Sequence, residues 1–121
     1  MFATFDKNEF PIVKVTFSET IINNADFENF LKEWLQLYDN REYFSFVFDT
    51  KNVGIINPKY SILMSLFIKE LKNRDIQYLT SSNIYVYNNF VKHLLDLIFF
   101  IQKPVAPVHI IYNGKIKSIN P

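Results

Sequence analysis

The side chains with chemistry to offer are few and scattered. Asp49 closes the apolar run Phe44-Ser45-Phe46-Val47-Phe48, and Asn57-Pro58 follows one loop later. A carboxylate at the carboxyl end of a strand can accept a phosphoryl group where a second acidic cluster holds Mg²⁺ and a lysine lies opposite. The first strand of this chain ends without an acidic pair, so Asp49 is expected to bond loop amides instead. His93 and His109 are the only imidazoles, without helical i, i+4 spacing, acidic neighbours at ligand spacing, or a nearby nucleophile with an oriented base. His93 reads as part of a solvated helix face and His109 as a strand residue. With no cysteine, thiolate metal sites, disulfides and cysteine nucleophiles are excluded. Gly54 and Gly114 are the only glycines and lie too far apart to build a phosphate loop or a dinucleotide fingerprint. The expectation is a non-enzyme with no cofactor and no bound metal.

Composition narrows the partners. Thirteen basic residues against twelve acidic ones give a net charge of +1, and the lysines are scattered, so no nucleic-acid footprint is present. Asp6, Lys7, Asn8 and Glu9 interrupt the N-terminal stretch where a signal peptide would be apolar. The longest greasy stretch, residues 94–101, contains Asp96 and is too short for a membrane span. The absence of cysteine fits a reducing compartment, so the expected location is cytoplasmic. At 121 residues the chain is expected to form one domain that buries roughly two-thirds of its unfolded surface. Aromatic residues make up 17%, including thirteen phenylalanines, enough for a bulky core with aromatic surface left over for a partner.

The elements that must position these groups follow from periodicity. Residues 2–5 and 10–17 read as strands around a turn-rich tetrad, with Pro11 placing the start of the second at an edge or a bulge. Asn24 is the expected N-cap of a helix whose apolar stripe is Phe27, Phe30, Leu31, Trp34, Leu35 and Tyr38. Trp34 is expected as a core anchor. Residues 44–48 predict a central strand covered on both faces, because the residues between the phenylalanines are at most mildly polar. Asn57 as N-cap and Pro58 at the first helical position start a second helix. Its expected buried stripe is Tyr60, Leu63, Met64, Phe67, Ile68 and Leu71, widened by Ile62 and Leu66. Residues 76–79 and 84–87 are both strand-like around Thr80-Ser81-Ser82-Asn83, with 84–87 preferred as the ordered core of a strand whose start is left open to earlier residues. Asn88 caps a third helix over 89–102. Asn113-Gly114 predicts a type I′ hairpin joining strands 108–112 and 115–119. The order β-β-α-β-α-β-α-β-β implies an α/β fold with a mixed, mostly parallel sheet, and ligands at its carboxyl edge.

That order, together with the strand and helix in "VFDTKNVGIINPKYSILMSLFIKELKNR", resembles the STAS domain, the fold of anti-sigma factor antagonists and SpoIIAA-like proteins. The resemblance implies an interaction or regulatory module in which the central strand leads to an Asp-Ser signature and a partner kinase phosphorylates the serine. Asn57 falls where the family has its aspartate, and Pro58, which has no hydroxyl, where it has the serine. Ser61, about one turn into the helix, is the nearest alternative. The implied contact rim is Asp49, Asn57, Lys59, Tyr60 and Ser61.

The third helix supplies a second candidate surface. Phe99 and Phe100 lie in line with His93 and Asp96, away from Phe90, Val91, Leu94, Leu95, Ile98 and Ile101. Either the C-terminal hairpin folds over these two rings or they meet a protein. The expected partner is another protein or a second copy of this chain, and the alternative is a small ligand or lipid held at the rim or in an aromatic pocket.

Overall fold

The computed structural model describes residues 2–18 and 23–121. Its elements are β1 (Ala3–Asp6), β2 (Ile12–Phe17), α1 (Asn24–Tyr38), β3 (Phe44–Asp49), α2 (Lys59–Leu71), β4 (Leu79–Tyr85), α3 (Asn89–Ile101), β5 (Val108–Tyr112) and β6 (Lys115–Ile119). They build an α/β fold around one six-stranded sheet in the order β1-β2-β3-β4-β5-β6. The four central strands run parallel, and β1 and β6 pair antiparallel at the two edges.

The strand order never reverses. Successive right-handed crossovers that step in one direction lay their helices on the same face. All three helices accordingly meet the sheet face that carries Val13, Val15, Phe44, Phe46, Phe48, Ile84, Val108 and Ile110. In α1, Trp34 packs 4.8 Å from Phe46 and 5.8 Å from Phe48 between ring centroids, and it touches Phe67 of α2 at 5.3 Å. Trp34 is thus the core anchor expected of it. Ser65 of α2 donates to the Ile98 carbonyl of α3.

Among the described residues the other face has no helical layer, which corrects the expectation of a strand covered on both sides. Ser45, Val47 and Asp49 are only half-buried, while Phe44, Phe46 and Phe48 between them are buried. Register carries this polar face across the sheet in two rows: Thr4, Thr16, Asp49, Tyr85, Ile111 and Ile116, then Asp6, Lys14, Val47, Asn83, His109 and Ser118. Hydration of one face also explains β4. The stretch Thr80-Ser81-Ser82-Asn83, expected as a break, is continuous strand, and a register shift opposite Phe44–Phe46 turns Ser82 toward the helices. Pro11 falls in the turn before β2 and offers its carbonyl to Ser45 N.

Helix starts differ slightly from expectation. Asn23, not Asn24, caps α1 by accepting from Asp26 N, and Asn24 instead receives the Tyr60 hydroxyl. Pro58 occupies the N-cap position of α2 without a side-chain cap bond. Asn88 caps α3 through Val91 N as expected. Asn113 and Gly114 both have positive φ, +52° and +74°, as a type I′ turn requires.

Tyr38, at the end of α1, donates to Gln77 Oε1 and lies under the Arg74 guanidinium. Burial pushes its hydroxyl up to about 12, against the opposing influence of Trp34 and the Arg74 charge. The raised value means that only the unfolded chain loses this proton between pH about 10 and about 12. The contribution of Tyr38 to stability is therefore expected to be level below pH 10 and to fall as pH rises through that window. Urea unfolding across the alkaline range checks this: Tyr38→Phe should flatten the decline, and an equally steep decline in the variant would contradict it.

Candidate functional site

The structure divides the five rim residues between two environments. Asp49 follows the open-face register, opposite Thr16 and Tyr85, and its Oδ1 accepts from Lys51 N at 2.9 Å. Asn57 is exposed, and its Oδ1 accepts from Lys59 N at 3.0 Å. Each of these side chains is engaged by an amide two residues on, the local role expected of Asp49. Lys59 is exposed, with its ammonium 5.1 Å from the centre of the Tyr60 ring. Tyr60 and Ser61 turn inward, Tyr60 bonding Asn24 Oδ1 at 3.0 Å and Ser61 losing all contact with solvent. The rim is therefore not one surface.

Inward from Tyr60 and Ser61 lies a cavity of about 150 Å³ between the helices and the sheet, lined by Trp34, Phe48, Val53, Ile56, Ile84, Val91, Ile98 and Phe99 among others. Phe99 faces this interior and packs against the core, which corrects the expectation that it points outward beside Phe100. The outward expectation holds for Phe100 alone, 89% exposed, and the hairpin does not cover it. The hairpin does reach α3 elsewhere: Lys117 of β6 and Lys92 of α3 approach Asp96 at 3.3 and 3.1 Å. Burial raises the pKa of Asp96, but the hydrogen bonds and charges of the two lysines outweigh it and hold the carboxyl below its ordinary range.

Phe100 projects from an apolar outer face. Leu97 and Ile101 flank it on α3, and Ile62, Leu63 and Leu66 are exposed on neighbouring α2. For Ile62, Leu63, Leu66 and Ile101 this corrects the core assignment. The reason lies in Ser61 and Ser65, which sequence reasoning left out of the buried stripe. Small side chains at i and i+4 let α3 approach α2 closely, and Ser65 Oγ bonds both Ser61 O and Ile98 O. The buried stripe thus rotates onto Ser61, Ser65 and Ile68, and the leucines and isoleucine beside it face outward. Two small polar residues one turn apart in an otherwise apolar helix were the available signal.

His93 is exposed, as expected, and His109 Nδ1 lies 2.7 Å from Ser118 Oγ on the open sheet face. Among the described residues no group of three or more His, Asp or Glu side chains is placed to hold a metal ion, and no helix is long and apolar enough to cross a membrane.

Fold and surface together define a two-layer α/β sandwich with one hydrated sheet face and one apolar helical face. Compared with known proteins, the chain matches no family model, no curated protein and no solved structure.

Proposed function

We propose that this chain is a non-catalytic, STAS-like interaction module of the cytoplasm whose contact surface is the outer face of α2 and α3, and whose partner there is a second copy of the chain. The observation that carries the reading is Phe100, 89% exposed on α3 beside Leu97 and Ile101, with Ile62 and Leu66 exposed on neighbouring α2. Contiguous exposed apolar residues are costly on a monomer and characteristic of protein contacts. A protruding aromatic at the centre of such a patch is the usual anchor of an interface. A net charge of +1 opposes self-association very little, and Lys69 and Glu70, exposed on α2, supply both signs. A two-fold axis through one face makes each copy's patch complementary to itself.

The competing surfaces are less suited. The open sheet face is largely polar, and β6 carries Lys115 and Lys117 at its edge, residues that discourage strand pairing. The element order supports the STAS likeness, and Pro58 at the position of the family's serine, with Ser61 buried, supports a module that does not use phosphorylation there.

A cysteine-free chain permits a clean test. Leu97→Cys, on the proposed contact face, is expected to give disulfide-linked dimers under mild oxidation, whereas Val47→Cys, on the open sheet face, should stay unlinked. Linkage at position 47 in preference to 97, or at neither, would refute the reading.

A further inference from the structure

We propose that the cavity beneath α3 is a binding site for a small, neutral, single-ring aromatic molecule carrying one hydroxyl, with the Ser61 side chain as its hydrogen-bond partner. Size sets the first limit: the cavity measures about 150 Å³, and a void of about that volume lined by Leu, Ile and Phe accommodates benzene. Charge sets the second. Among the described residues no Lys, Arg, His, Asp or Glu lines the cavity, so an ionised ligand would be buried there without a counter-charge.

The polar groups in the wall set the third. Thr50 Oγ1 donates to Tyr85 O at 2.6 Å, and the Tyr60 hydroxyl donates to Asn24 Oδ1. Ser61 is 0% exposed, lines the cavity, and its Oγ has no hydrogen-bond partner among the described residues. One turn further into α2, Ser65 bonds the carbonyl four residues back, Ser61 O, at 2.7 Å. Ser61 does not, so its hydroxyl is left to meet whatever enters. Trp34 Nε1, in the same wall, is likewise buried without a hydrogen-bond partner among the described residues.

Access runs along α3. Leu94, Leu95, Phe99, Val105 and Met64 are the half-buried members of the lining, and of α3 only Val91 and Ile98 are fully buried.

Phenol and benzene distinguish the hydrogen bond from the void. Calorimetric titration of the wild-type chain is expected to give saturable binding of both. Ser61→Ala should weaken phenol about tenfold and change benzene less than about twofold. Ala106→Phe, which fills the cavity from the loop before β5, should abolish both, and circular dichroism of each variant verifies the fold. Saturable binding of neither probe by the wild type, or phenol affinity unchanged in Ser61→Ala, would overturn the assignment, the latter by leaving Ser61 to bind water only.

Discussion

Replacing Phe46 by alanine is expected to remove about 3–5 kcal/mol of folding stability, a large share of the roughly 5–15 kcal/mol that a domain possesses. Phe46 is 1% exposed and its ring meets those of Phe5, Trp34, Phe44 and Phe48, so the change leaves a void where sheet and helical layer join. Val47, the next residue, faces the hydrated side. Val47→Thr keeps the branched strand geometry and is expected to alter stability by about 0.5 kcal/mol or less. Urea unfolding of both variants tests the one-sided sheet: comparable losses at 46 and 47 would mean that both faces are packed.

Phe100→Glu should do the reverse. Because the ring touches solvent over most of its area, the fold is expected to keep its stability within about 0.5 kcal/mol. Pairing of copies, by contrast, should weaken by at least about 2 kcal/mol, or roughly thirtyfold in Kd, since truncating a central aromatic anchor costs that much. The added carboxylate, brought near its symmetry mate in an apolar contact, increases the loss. A variant that lost stability and pairing together would point to a structural role for Phe100 instead.

Much of this architecture can be read from residue types alone, and the failures share one cause. Asn113-Gly114 identified its turn because only that backbone geometry joins the two strands so tightly. The stripe of α1 identified most of its buried face because Trp34, Phe27 and Phe30 are too large to be elsewhere, but it left out Leu37, which is fully buried while Leu31 and Leu35 are half-buried. What periodicity does not convey is which neutral residues are wet. Ser45 and Val47 read as a covered face, and Thr80–Asn83 as a break, because a half-buried polar sheet surface resembles both. On α2 and α3 the same ambiguity misplaced Leu63, Leu66, Phe99 and Ile101, since almost every position is apolar and the buried direction is chosen by Ser61 and Ser65. The cavity was hidden for a related reason: it depends on how three helices seat together.

The interaction reading rests on one surface, and sedimentation equilibrium of the wild-type chain beside Phe100→Glu tests it most directly. The wild type is expected to show a concentration-dependent mass rising toward twice the 14.4 kDa of one chain, and the variant to remain at the single-chain mass over the same range. A wild type that stays at the single-chain mass at every concentration, or a variant that pairs equally well, would contradict the assignment of the α2–α3 face as the contact between copies.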